Sequence, residues 1–340
     1  MAEAVVTEPS LISRYRGIVC DLDGVVYAGP VGIDGAVEAL SAAGVPVVYA
    51  TNNASRPPSV VADHLRSLGL TLEESDVVTS STAGAGELAR DLTPGDAVLA
   101  IGGIGVPTAL IAAGLTPVSP EEHRAGRAVV AVLQGYGPQV SAGDLAEAAL
   151  AVQSGARWVV TNEDLTLPTD RGLAPGNGSL VAAVRVAVDR DPVVMGKPHP
   201  PIYLRAAEVL GCSPAEAVAI GDRLETDIEG AVNTGMDGIL VLTGVHGWAD
   251  AAAAPPARRP KAVIADLRAL QLPYAEPQRA DEAWRCGESL ATLTADGLQV
   301  VGGDEVQRGR AALAAVWEAV DDGRLTRDEA GARVGAALST

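Results

Sequence analysis

Short aliphatic runs alternate with amphipathic segments from Gly17 to about Leu270. The runs predict strands at 18–20, 45–50, 97–101, 128–133, 158–160, 193–195, 217–220, 238–242 and 262–264. Between them, 57–68, 141–154, 178–189 and 200–210 carry apolar residues at helical spacing. Strand–helix alternation of this kind predicts an α/β protein with parallel strands joined by right-handed crossovers. A Pro/Ala-rich stretch at 251–260 precedes the last of these runs, and the Pro273 to Pro277 break ends the alternation. The remaining residues read as a separate small module, in which Thr326-Arg327-Asp328-Glu329 fits a capping box before a final helix.

In open parallel sheets, sites form beyond the C-terminal ends of strands. The polar residues directly after each apolar run are therefore the candidates. Asp21-Leu22-Asp23-Gly24 follows the first run, Thr51-Asn52-Asn53 the second, Gly196-Lys197-Pro198 the sixth, and Gly221-Asp222 the seventh, with Thr226-Asp227 close behind. Placing two carboxylates two residues apart at the mouth of a buried strand is costly unless something offsets their charge. Hard oxygen ligands, one lysine, and hydroxyl and amide donors make up a site for Mg2+ and a phosphate.

Composition narrows the classes. Hydrophobic residues make up 48% of the 340, yet Phe is absent and aromatics reach only 3%, so the core must be built of Val, Leu, Ile and Ala. The formal charge of −18 argues against nucleic acid or an anionic membrane as partner, while leaving room for a small anionic substrate at one local site. Cys20, Cys212 and Cys286 are widely spaced and indicate neither a disulfide framework nor a zinc site. His64, His123, His199 and His246 show no metal-ligand spacing. The chain has no 18-residue apolar span, and residues 1–13 lack a basic start with an apolar core, so a cytoplasmic location is expected.

The four strand-end motifs, DLDG at 21–24, TN at 51–52, GKP at 196–198 and GDRLETD at 221–227, resemble in order those of the haloacid dehalogenase superfamily. The likeness covers roughly residues 15–270. Only 27 residues separate Asp23 from Thr51, whereas 145 separate Thr51 from Lys197, enough for a whole α/β insertion containing TNEDLTLP at 161–168 and PGNGS at 175–179. This spacing resembles the large-cap, p-nitrophenylphosphatase-like subgroup, and within it the bacterial glycerol 3-phosphate phosphatases. Phosphoglycolate, pyridoxal phosphate and nucleotide monophosphates are the alternative substrates. A non-catalytic phosphate-binding protein on the same fold is the alternative of another class, and Asp23 argues against it because binding alone would not require it.

The resemblance implies a set of roles. Asp21 attacks phosphorus and becomes an aspartyl-phosphate; Asp23 is the general acid and base. Mg2+ is held by the Asp21 side chain, the Asp23 backbone carbonyl and Asp222, with Asp227 behind them. Thr51, the Asn52 backbone N–H and Lys197 bind the phosphoryl group. Asn162 and Asp164, at a cap strand end, are candidates for substrate contact. The expected fold is a Rossmann-like core of residues 1–82 and 191–272, an inserted α/β cap of 83–190 and a small C-terminal α/β module of 273–340. IGGIGVP at 101–107 reads as a cap strand followed by a helix start. VQRGRAAL at 306–313 faintly resembles a coenzyme-A pyrophosphate loop, but Val306 stands where Gln or Arg should. Docking, stability or homodimerisation is the role expected of this module.

Overall fold

The structure, a computed structural model, describes residues 9–169 and 171–339. By internal contacts the chain forms two compact units, residues 1–47 with 212–340 and residues 48–211.

In the first unit, Gly17–Cys20 pairs in parallel with Ala217–Gly221, which pairs with Asp237–Val241, which pairs with Ala262–Ile264. All residues of Gly17–Cys20 and Ala217–Gly221 are buried, as expected of strands covered on both faces. Their N-terminal ends are tied together on the surface. Arg16 N–H donates to the Glu216 carbonyl at 2.8 Å and its guanidinium to the Glu216 carboxylate at 2.9 Å. Ser213 adds two hydrogen bonds to that carboxylate, which is held down at about 2 by the Ser213 N–H and the Arg16 guanidinium. At the other end, Asp21 N–H donates to the Ile220 carbonyl at 2.9 Å, extending the ladder one residue beyond the strand. The two acidic strand ends therefore emerge side by side.

The C-terminal residues belong to this same unit. Gln278–Ala280, Ala283–Cys286, Ser289–Thr294 and Gly297–Val301 form an antiparallel sheet, followed by the helices Glu305–Asp321 and Arg327–Leu338. Thr326 caps the last helix with the expected box: its hydroxyl accepts from Glu329 N–H, while its own N–H donates to the Glu329 carboxylate. VQRGRAAL lies inside Glu305–Asp321 and is no loop. Its Ala311, Ala312 and Leu313 are buried, and the helix lies against the indole of Trp248 at Gly309. Ala312, Leu313 and Val316 share one core with Leu240 and Val263 of the parallel sheet. Arg310 crosses this seam, donating to the Val263 carbonyl at 3.0 Å and stacking 3.8 Å from the Tyr274 ring.

In the second unit, Val47–Thr51 pairs in parallel with Val77–Thr79. A five-stranded parallel sheet runs in the order Val193–Val194, Arg157–Val160, Ala131–Gln134, Ala97–Ile101 and Thr116–Val118. An antiparallel hairpin, Thr166–Thr169 with Gly172–Pro175, precedes the helix Asn177–Arg185. The second expected strand starts later than the aliphatic run because Pro46 has no N–H for the ladder; its carbonyl instead accepts from Ile18 N–H. Thr116–Val118, which carries Pro117, lies at a sheet edge where proline is tolerated. IGGIGVP is a strand end followed by the helix Gly105–Ala112. Among the described residues, no helix is long and apolar enough to cross a membrane.

Candidate active site

Asp21, Asp222 and Asp227 converge in the first unit, each offering a carboxylate oxygen within 4.8 Å of the other two. Asp222 and Asp227 are 1% and 2% exposed and Asp21 is half-buried. Three carboxylates this close, two of them nearly sealed from water, repel one another unless a cation neutralises them. An all-oxygen donor set of this kind fits a hard divalent cation.

The loop after Asp237–Val241 supports the cluster. Val245 N–H donates to Asp222 Oδ2 at 2.8 Å, and His246 N–H donates to the Asp222 carbonyl at 3.1 Å. Thr243 Oγ1 donates to the Gly24 carbonyl at 2.7 Å. Gly24 has φ +84°, and a Cβ there would run into the Asp222 carboxylate. Only glycine supplies both the left-handed turn and the close approach. Asp227 Oδ2 accepts from Arg223 N–H at 3.1 Å and from Thr226 Oγ1 at 3.3 Å. The structure thus brings Asp21, Asp222 and Asp227 together. Asp23 lies outside this cluster, exposed, at the turn where Gly24 N–H donates to the Tyr27 carbonyl.

The second unit holds Thr51, Asn52, Asn162, Asp164 and Lys197. Thr51 ends its strand, and its hydroxyl accepts from Asn53 N–H at 3.1 Å, turning the chain. Asn53 Oδ1 accepts from Ser55 N–H and Oγ, and Gly105 N–H donates to the Ser55 carbonyl at 3.2 Å. A Cβ on Gly105 would collide with the Ala54 carbonyl, so the glycines of IGGIGVP serve close backbone approach to this turn.

The Asn52 side chain pairs with the Lys197 peptide, and its Nδ2 also stands 3.3 and 3.4 Å from the two Asp164 carboxylate oxygens. Asn162 Nδ2 donates to the Asn52 carbonyl at 2.8 Å, as does Ser80 Oγ at 2.7 Å. Asn177 Nδ2 in turn donates to the Asn162 carbonyl at 2.7 Å. Asn162 is buried, at 5%, and its side chain is spent on the Asn52 backbone and on Asp164 N–H. Lys197 is 6% exposed.

Thr243, Val245, His246 and Asn177 lie outside the candidate set read from the sequence, His246 because it shows no metal-ligand spacing. The strand-end rule already pointed to the first three, because TGVH directly follows the aliphatic run at 238–242. Asn177 lies in PGNGS, a turn-like string whose partner, Asn162, is 15 residues away.

Comparison with known proteins shows the family. The sequence model of haloacid dehalogenase-like hydrolases matches residues 18–116, and a HAD-hydrolase-like model matches residues 194–270. The chain is 42% identical to D-glycerol 3-phosphate phosphatase of Mycobacterium tuberculosis, over 91% of this chain and 88% of that protein. It is 39% identical to acid sugar phosphatase of Staphylococcus aureus, over 69% of this chain and 89% of that protein. Among solved structures, the glycerol phosphate phosphatase of Mycobacterium tuberculosis in complex with magnesium superposes with a TM-score of 0.81 at 41% identity, covering 91% of this chain and 92% of that one. The p-nitrophenyl phosphatase of Archaeoglobus fulgidus superposes with a TM-score of 0.69 at 27% identity, covering 75% of this chain and 98% of that one. The chain belongs to the haloacid dehalogenase-like hydrolases and is one of their phosphoric monoester hydrolases.

Proposed function

We propose that this chain is a Mg2+-dependent phosphatase of small phosphorylated metabolites, with glycerol 3-phosphate as the preferred substrate and glycerol and phosphate as products. The observation that carries the chemistry is the convergence of Asp21, Asp222 and Asp227 at the ends of two adjacent parallel strands. The substrate rests on the 42% identity to D-glycerol 3-phosphate phosphatase across nine-tenths of the chain.

Asp21, the Asp23 carbonyl and Asp222 would hold Mg2+, with Asp227 as a further carboxylate beside them. The ion would neutralise the carboxylates and draw charge from the phosphoryl oxygens. A carboxylate is a suitable nucleophile because, unlike a hydroxyl, it ordinarily needs no base to deprotonate it at neutral pH. Its oxygen bonds to phosphorus as the bond to the leaving alkoxide breaks, and Asp23 gives that alkoxide its proton. Asp23, now a carboxylate, then takes a proton from water. The water oxygen bonds to phosphorus and the Asp21–phosphorus bond breaks. Exposure of Asp23 suits exchange with leaving group and water. The Thr51 hydroxyl and Asn52 N–H are the assigned phosphoryl donors, and Lys197 the cation that offsets its charge.

We assign residues 1–82 and 191–272 the role of core, 83–190 that of a cap that selects the leaving group, and 273–340 that of a stabilising module. Asp164 is the cap residue we assign to substrate selection, and Asn162 the one that holds the Asn52 turn. A panel of phosphomonoesters compared by kcat/KM tests the reading. Glycerol 3-phosphate ranks above phosphoglycolate, pyridoxal phosphate and nucleotide monophosphates, and chelation silences all of them reversibly. Another ester at the head of the panel would overturn the substrate, and full activity of metal-free protein would overturn the metal.

A further inference from the structure

We propose that His246 is a positioning residue for the divalent-cation site: its imidazole shapes the 222–228 turn so that Asp222 and Asp227 converge. The inference rests on the cation reading above and adds a residue that contributes no ligand.

Leu224–Ile228 is a single π-helical turn, closed by the Ile228 N–H donating to the Arg223 carbonyl at 3.2 Å. Such turns are rare and recur at functional sites. The first N–H groups of any helical turn have no partner within it. Here the Leu224 N–H is taken up by His246 Nδ1 at 2.9 Å, across 22 residues of sequence. A backbone N–H can only donate, so Nδ1 is the acceptor and the ring proton sits on Nε2. Glu225 Oε2 stands 3.5 Å from the same nitrogen, well beyond the Leu224 contact.

The geometry makes His246 two points of a three-point grip. Its own N–H donates to the Asp222 carbonyl, its neighbour Val245 donates to Asp222 Oδ2, and its ring accepts from Leu224, two residues further on. The backbone between Asp222 and Asp227 is thereby held at both ends, since Asp227 Oδ2 folds back onto the Arg223 N–H. Leu224 is 5% exposed, so loss of the acceptor would leave the N–H of a nearly buried residue unsatisfied, and the turn would have reason to rearrange. Rearrangement would move the two most buried carboxylates of the cluster.

Calorimetric titration of metal-free protein with Mg2+ tests this, alongside hydrogen exchange of the Leu224 amide. His246→Leu removes the acceptor and weakens Mg2+ binding about tenfold or more, the usual consequence of losing a group that orients a ligand. His246→Asn offers a carbonyl oxygen near the position of Nδ1 and stays close to wild type. Equal affinity of His246→Leu and wild type overturns the proposal, and so does an equal loss in both variants. Should His246→Leu fail to fold, the wild type decides alone: slow exchange at Leu224 in the metal-free protein supports the proposal and fast exchange contradicts it. Asp222→Asn serves as control; if wild type and this variant bind Mg2+ alike, it is the cation reading that falls.

Discussion

The side-chain amide of Asn52 and the backbone of Lys197 pair at two points, as two peptide groups pair in a sheet. Lys197 N–H donates to Asn52 Oδ1 at 2.7 Å and Asn52 Nδ2 donates to the Lys197 carbonyl at 3.0 Å, across 145 residues of sequence. One asparagine therefore fixes both the turn that it belongs to, to which we assign phosphoryl binding, and the segment carrying the lysine. Asn52→Asp keeps the acceptor but loses the donor, and sets a second carboxylate against Asp164. The expected result is a fall of about 10–100-fold in kcat/KM, the equivalent of leaving a buried group unsatisfied at ~1–3 kcal/mol. In Asn52→Asp/Asp164→Asn the repulsion is gone and part of the loss returns. An additive double variant would contradict the coupling.

Gly24→Ala is the sharpest steric test of the carboxylate cluster. The new methyl group meets an Asp222 carboxylate that Val245 N–H already holds at 2.8 Å, so the flexible end of the side chain cannot swing away. Backbone strain at φ +84° adds on the order of 1–3 kcal/mol. Mg2+ affinity and thermal stability should both fall. An unchanged melting temperature and metal affinity would mean that this approach is looser than described.

The helix Glu305–Asp321 shares its core with the parallel sheet, which supports the stabilising role we propose for the appended residues. Leu313 is 2% exposed and lies in the cluster with Leu240, Val263 and Trp248. Leu313→Ala should cost ~2–5 kcal/mol, as large-to-small changes in a core do, while kcat on a small ester stays near wild type at low temperature. A chain ending at Leu272 leaves that face of Trp248 and Val263 uncovered and should be poorly soluble. A stable, monodisperse and active truncation would show that the helix is dispensable for the fold.

Acid stability has a readable contributor in Glu216, whose carboxyl is lowered from its ordinary 4.5 to about 2 by Ser213 and Arg16. A group with a depressed folded value stabilises the fold fully above its unfolded value and loses this as pH falls toward the folded one. The difference in melting temperature between wild type and Glu216→Gln should therefore be complete at neutral pH. It should shrink as pH drops from about 4.5 to about 2. Salt should weaken it, since the pair is exposed. A difference that grows on acidification would contradict the assignment.

Much of this was legible in the sequence because the relevant signals are local. An apolar run followed by a polar residue marks a strand end, and that rule alone selects Asp21, Thr51, Lys197 and Asp222. The pairings among the supporting residues were not legible for the opposite reason. Asn162 and Asn52 are 110 residues apart, Leu224 and His246 are 22 apart, and only the topology brings each pair within hydrogen-bonding distance. The C-terminal sheet was hidden by weak patterning: Ala283–Cys286 and Ser289–Thr294 are half-exposed, with threonines and an arginine where apolar alternation would have announced strands. In VQRGRAAL, small residues that pack a helix against Trp248 and the buried core resemble the small residues of a phosphate loop, since both depend on close approach.

We assign the phosphoryl group to Asp21 and the proton transfers to Asp23, and rapid-quench intact-mass measurement decides whether that assignment holds. Asp23→Asn keeps the nucleophile but lacks the acid and base. p-Nitrophenolate leaves with little need of a proton, so with p-nitrophenyl phosphate the first step should partly survive while hydrolysis of the intermediate stalls. Asp23→Asn should give a burst, then turnover slower by about 10²–10⁴, the range for losing a general acid–base group, with one phosphoryl group attached to Asp21. Asp21→Asn should form no phosphoenzyme and turn over no ester. A phosphoryl group trapped on any other residue, or turnover by Asp21→Asn, would contradict that assignment.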